Sequence, residues 1–406
     1  MATTAVYLMN PLINYFSIEN DPLAFLLKVM KEAGDFSQFR ILNFNYYFVN
    51  DPDLIREALV AKPDQFIIKG GVSRGLSRLI GHGILTNHGE DWRQSRNSLN
   101  ALFASDNLKN SDSIMRARVD ESLERWKNLV YPFPFNREIL ALSFRIMSST
   151  LFAYIPTFAE AEVFANAIWT LQHDGMKRFM SGLDLIDWLP VPINRKVNAA
   201  RAELYNLAHK MVDCGAKISQ EEILSLLFAG TESPANTICY ALKLLQDYPD
   251  VRTEIASQSD IENSPAMIRF ISEVLRLYPA GWAFERYACK NTSLGDKKIP
   301  KGSRLLFSPY VLHRNPRFWK EPEKFDPRRS IENIPKFAYL PFGAGPRSCI
   351  GSRLAWQEMQ VILGQVILHC QWKIDHPEAV TAKGSFKIRL GQPMTGHLDV
   401  RSYAQP

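Results

Sequence analysis

Cys349 sits in the stretch PFGAGPRSCIGSRLAWQEMQVIL, residues 341–363. Gly343 and Gly345 permit tight backbone turns just before it. The residues that follow have a helical pattern, which sets the sulfur near a helix N-terminus. Backbone N–H groups and the helix dipole favour a thiolate there. Arg347, two residues earlier, adds positive charge, and Gly351 lets a flat ligand or another backbone approach closely. A thiolate on a glycine-rich turn suits a metal ligand or a nucleophile. Taken alone, a single cysteine reads equally as a small buried hydrophobe.

A second stretch, FAGTESPANT at 228–237, interrupts an apolar helical run with Gly230, Thr231, Glu232, Ser233 and Pro234. Glycine costs about 1 kcal/mol and proline about 3 in a helix interior. A titratable acid beside a hydroxyl can relay protons. Pro234 has no N–H, so the carbonyl of Gly230 loses its intrahelical partner. Two local readings stand: one kinked helix, or two abutting helices with Ser233 as N-cap and Pro234 in the first turn.

Further pairs could hold charge. SEVLRLYP places Glu273 and Arg276 one turn apart, as an ion pair on one helix face. EDWRQSR sets Trp92 and Arg96 one helical turn apart, on an amphipathic helix with a half-buried Trp. Arginine's planar fork suits carboxylates.

The elements that must position these residues follow from periodicity. Residues 39–49, FRILNFNYYFV, alternate and read as a hairpin. DPDLIREALVA begins a helix with Asp51 as cap and Pro52 in its first turn. Residues 89–278 are mostly helical, and Ser219 with Glu222 forms a capping-box pattern. After Pro279 come short strand-like pieces such as SRLLFSPYV. A last helix runs over about 350–370, with strands and a turn near Gly391 and Pro393 after it. The fold class is mainly α with small β-sheets, in one domain over 1–406. Its β-rich portions lie at about 38–50 and 280–310, and its helical body at about 89–278 and 350–370.

The chain has 406 residues, 46% hydrophobic and 22% charged, as an ordinary globular protein does. A net charge of +6 with no block of like charge excludes a nucleic-acid binder. Five cysteines without a C-x-x-C argue against a disulfide framework or zinc ribbon and for a reducing, cytoplasmic setting. No basic leader and no run of 18 apolar residues opens the chain, so neither a signal peptide nor a membrane anchor is expected.

Phe342-x-x-Gly345-x-Arg347-x-Cys349-x-Gly351 resembles the cysteine-ligand loop of the cytochrome P450 family at every position. AGTES resembles the family's oxygen-binding helix motif, with Ser233 in place of the usual threonine. Glu273 and Arg276, with Phe325, Pro327 and Arg329 of EKFDPRRS, resemble its E-x-x-R and F-x-P-x-R segments. These matches run in family order from residue 39 to about 400. Two connections, 211–219 and 250–266, look too short for the helices the family usually carries there.

The resemblance implies the P450 fold, with haem b between the oxygen-binding helix and the helix after the Cys loop. Cys349 becomes the thiolate ligand of the iron; thiolate ligation in P450s is a standard case of haem tuning. Phe342, Gly343, Arg347 and Gly351 border the group. Trp92, Arg96, Arg286, Arg347 and His88 meet its propionates, with His313 near one of them. Ala229 and Gly230 leave room for O2, while Glu232 and Ser233 deliver protons. Glu273, Arg276 and Arg329 form a structural triad. Substrate contacts fall on Phe179, Met180, Phe228, Trp282, Ala283, Phe284 and Met394, an apolar and aromatic set for a lipophilic substrate.

The implied activity is monooxygenation by a monomer, with NAD(P)H electrons arriving through a reductase and a separate ferredoxin or flavodoxin. That partner would dock near Arg93, Lys320, Lys324, Arg328 and Arg353. The alternatives are a haem-thiolate peroxygenase, isomerase or coupling enzyme, and a non-catalytic haem sensor.

Overall fold

The computed structural model describes residues 5–7, 10–68, 71–175, 191–385 and 387–401. Its chain divides into two compact units, each made of three separate segments, and one of the boundaries falls between Ile350 and Gly351.

The first unit comprises Met1–Gly70, Arg269–Ile350 and Ala382–Arg389. Its centre is a six-stranded sheet. The hairpin Phe36–Ile41 and Phe44–Val49 pairs in antiparallel register, Phe39 opposite Tyr46. Strand Arg304–Phe307 lies parallel to Phe44–Val49 and antiparallel to Phe284–Ala288. Short strands Ala5–Val6 and Phe66–Ile67 form the two edges.

Successive side chains of a strand point to opposite faces, and the burial follows that rule. Tyr47, Val49, Leu305 and Phe307 enter one core, while Phe48, Phe39 and Leu306 enter the other. Helix Pro22–Ala33 covers the second face with Phe25, Leu26 and Val29. Asp51 caps helix Pro52–Arg56, its carboxylate accepting from the N–H groups of Asp53 and Leu54. The helix then widens into a π-turn, Glu57–Ala61, that buries Leu59 in the first core.

The second unit comprises Gly71–Ile268, Gly351–Thr381 and Leu390–Pro406. Helix Phe135–Phe152 is its apolar axis, and Phe144 stacks on Phe164 with ring centres 4.0 Å apart. Helices Ser111–Trp126, Phe158–Thr170 and Glu232–Asp247 pack around it. Helix Ser352–His369 leads into strand Cys370–Ile374, which pairs with Thr395–Val400.

Two expectations need correction. The connection 250–266 is not empty, because Pro249 at the first turn starts helix Pro249–Ala256. The capping box of helix Gln220–Gly230 is only half formed. Ser219 accepts from the Glu222 N–H, but the Glu222 carboxylate reaches instead to the Ile84 N–H at 2.9 Å. Among the described residues no helix is long and apolar enough to cross a membrane.

Candidate active site: a cysteine loop and an interrupted helix

In the first unit the Cys loop folds back on itself. The Gly343 N–H donates to the Leu340 carbonyl, the Ser348 N–H to Gly345, and the Cys349 N–H to Phe342 at 2.9 Å. Gly343 and Gly345 have φ of +69° and +73°, a region that L side chains rarely adopt. Gly345 is doubly constrained, since a Cβ there would lie 2.0 Å from the Leu59 carbonyl oxygen. The loop presents Cys349 as an exposed residue outside any disulfide. Cys370 and Cys239, by contrast, are buried, and burial pushes both thiols up to about 12. Of these three, Cys349 alone is exposed.

Below the loop lies a carboxylate–guanidinium knot. Arg276 is fully buried and uses all five N–H donors. Nε and Nη2 clasp Glu273 at 2.7 and 2.8 Å, and the rest go to the carbonyls of His313, Pro322 and Lys324. Arg329 approaches Glu273 at 3.6 Å and donates to the carbonyls of Lys320, Glu321 and Lys324. Glu273 also accepts the Asp326 N–H. The structure thus brings Glu273, Arg276 and Arg329 together.

His313 is placed differently from expectation. It is fully buried, with Nε2 accepting the Leu340 N–H at 2.8 Å and Nδ1 facing the Arg276 carbonyl at 3.2 Å. Both ring nitrogens are committed to backbone, so it offers nothing to a propionate. Arg286 behaves oppositely. It is buried beside Glu285, donates to the Glu285 carbonyl, and burial lowers its pKa to about 10. A buried guanidinium of this kind fits an incoming carboxylate. Trp282 donates to the Ser385 carbonyl, and Phe284 stacks on Phe307 of the first core. Ala283 packs against the second.

In the second unit, helix Gly89–Leu102 carries Trp92 and Arg96 half-buried on one face. His88 is exposed at its N-cap, one turn before Trp92. Phe228 is fully buried near the end of helix Gln220–Gly230. The helix loosens at Thr231, whose torsions stay helical and whose backbone bonds to Leu227 and from Ala235 are both 3.3 Å, and it continues as Glu232–Asp247. Ser233 is not an N-cap: its hydroxyl donates back to the Ala229 carbonyl at 2.8 Å. The abutting-helix reading therefore falls, and Pro234 interrupts one continuous helix. Gly230 leaves space that Met147 fills, for a Cβ there would meet its Cε at 2.8 Å.

Gly351 is the N-cap of helix Ser352–His369, and Met394 is buried with its N–H on Asn136. Phe179 and Met180 lie outside the described residues. Of the surface cations, Arg93 pairs with Glu90, Arg353 donates to Ser105, and Lys324 approaches Glu321.

Sequence reasoning missed two residues. Ser143 and Glu358 meet beneath the interruption, both buried. Their signal was available: each is a polar residue inside an apolar helical run, ILALSFRIM and LAWQEMQVIL.

The comparisons agree with this geometry. The Cytochrome P450 family model matches residues 4–221 and 215–394. Cyclooctat-9-en-7-ol 5-monooxygenase of Streptomyces melanosporofaciens is 26% identical over 396 residues, covering 87% of this chain and 85% of its own. Pentalenene oxygenase of Streptomyces avermitilis is 26% identical over 399 residues, with 87% of each covered. The crystal structure of CYP175A1 from Thermus thermophilus superposes with a TM-score of 0.81 at 24% identity, over 98% of this chain and all of that one. A six-coordinated cytochrome P450 from the same species gives 0.76 at 23% identity, over 94% and 98%. With a family match that runs through both units and a fold shared with solved members, the chain belongs to the cytochrome P450 family.

Proposed function

We propose that this chain is a monooxygenase that inserts one atom of O2 into an apolar, unsaturated small molecule. The observation that carries the reading is the exposed Cys349 on a loop whose two glycines fix its shape. Haem, when bound, supplies oxygen activation through thiolate ligation. In this reading Cys349 holds the iron, bordered by Phe342, Gly343, Arg347 and Gly351. Arg286, Trp92, Arg96 and His88 serve its carboxylates. Ala229 and Gly230 border the path of the gas, with the Met147 side chain having to yield beside Gly230, and Glu232 and Ser233 hold and move protons. The substrate class rests on the names of the two Streptomyces relatives. It agrees with the apolar and aromatic character of Phe228, Trp282, Phe284 and Met394.

Electrons come from NAD(P)H through a separate acidic ferredoxin or flavodoxin. The test is the spectrum of the reduced protein with carbon monoxide. A strongly red-shifted Soret band is expected, and Cys349→Ala abolishes it. A haem-histidine spectrum, or no haem, would overturn the assignment.

One observation favours a second reading, a peroxide-driven enzyme. The Ser233 proton is committed to the Ala229 carbonyl, which weakens its use as a proton donor to oxygen. Turnover with hydrogen peroxide but none with reductase and ferredoxin would select that reading.

A further inference from the structure

Ser143 Oγ lies 2.8 Å from the Thr231 carbonyl oxygen and 2.5 Å from Oε1 of Glu358. Ser143 and Thr231 are fully buried, and Glu358 is 2% exposed. A hydroxyl has one proton to give, and a carbonyl can only accept. An ionised Glu358 is also acceptor-only, so it and Thr231 would compete for that single proton. One close contact would then face two acceptors without a hydrogen between them.

We infer that Glu358 is held as the neutral acid, donating to Ser143, which in turn donates to the Thr231 carbonyl. This chain of two hydrogen bonds fixes the interruption of the oxygen-helix segment. Both bonds are satisfied only in that direction. The Thr231 carbonyl needs the support, for its intrahelical bond from the Ala235 N–H is long at 3.3 Å. The Thr231 N–H to Leu227 bond is equally long. Glu358 and Ser143 are thus positioning residues for the bend that Pro234 introduces.

Burial supports the neutral form, pushing the Glu358 carboxyl up to about 8. Helices Ser111–Trp126, Glu232–Asp247 and Pro249–Ala256 and strand Cys370–Ile374 pack on the Glu358 helix. Their charges are engaged elsewhere. Arg116 binds Asp112 and Glu262, Arg118 binds Glu121, and Arg125 binds Glu138. Lys243 binds Asp247, and Arg252 donates to the Cys370 carbonyl. Cys239 and Cys370 are neutral thiols. Lys373 is exposed. Glu232 stands on the neighbouring helix, but the upward shift of Glu358 comes from burial alone, and a Ser143 hydroxyl donating to the carboxylate would oppose it. On the helix of Ser143, Arg145 is bound by Glu121, and on that of Glu358, Arg353 reaches Ser105.

Ionisation reverses the chain. When Glu358 gives its proton to a solvent base, the Ser143 hydroxyl turns to the carboxylate. Thr231 then keeps only its long bond to Ala235, and the bend loosens. The consequence for oxygen chemistry rests on the P450 reading; the direction of the hydrogen bonds does not.

Infrared spectroscopy of the full chain tests the proposal without reference to activity or to the carbon monoxide spectrum. At pH 6 the wild type should show a protonated-carboxyl band that Glu358→Gln removes, and raising the pH should bleach it. Ser143→Ala should shift this band and lower its apparent pKa, because the neutral acid loses its acceptor. No such band at pH 6, or a pKa that rises in Ser143→Ala, overturns the proposal. If Glu358→Gln does not fold, Ser143→Ala decides alone: an unmoved band does not belong to Glu358, and the inference fails.

Discussion

His313 accepts the Leu340 N–H on Nε2 at 2.8 Å, three residues before the first glycine of the Cys loop. Only the neutral ring, with its proton on Nδ1 toward the Arg276 carbonyl, can do this. Burial accordingly pushes its pKa from 6.5 down to about 3. A group depressed in the fold contributes stability in full above its unfolded value and loses it as pH falls toward the folded one. The unfolding midpoint should therefore drop between pH 6.5 and 3, by at most about 1.4 kcal/mol per pH unit from this group. His313→Asn, which has no proton to gain, should flatten that slope in denaturant titrations. An unchanged slope would remove His313 as its source.

Arg276 makes a planar set of five bonds that lysine cannot reproduce. Arg276→Lys should behave as a broken buried pair and cost about 3–5 kcal/mol. Glu273→Gln should cost less, because an amide oxygen still accepts one guanidinium N–H. Thermal unfolding of both variants measures the order, and equal losses would show that charge rather than bond number dominates.

The two glycines of the loop should separate. Gly343→Ala meets no neighbour within 4 Å and carries only the strain of φ +69°, about 1–2 kcal/mol. Gly345→Ala adds a clash with the Leu59 carbonyl. Its loss should be larger, with a fall in the fraction of thiolate-type spectrum that Gly343→Ala does not share. Equal behaviour of the two would mean that Leu59 yields.

Ser233→Ala removes the hydroxyl that bonds the Ala229 carbonyl. With a redox partner supplying electrons, we expect more hydrogen peroxide released per product formed. The ratio is read from peroxide assay and product analysis of the same reaction. An unchanged ratio would place Ser233 outside proton delivery.

Much of this was legible because specific backbone demands leave specific residues. The positive φ at Gly343 and Gly345 and the spacing of Glu273 and Arg276 are written locally. So is the missing N–H at Pro234. Contacts between distant segments were not. Nothing near Ser219 announces that Glu222 will turn away to Ile84 rather than close its own capping box. Likewise the histidine of LHRNP reads as a loop residue until Arg276 and Leu340 enclose it. The choice between a kink and an N-cap at Ser233 turned on one hydroxyl's direction, which residue type alone does not encode.

The close approach of Leu59 to Gly345 makes the Cys loop poor material for transplantation. Its contour is moulded by a π-turn nearly three hundred positions away in sequence. A chimaera that imports the loop without Glu57–Ala61 would inherit the letters of the motif and lose its mould. Breeding variants of this chain by recombination should keep those two segments from the same parent.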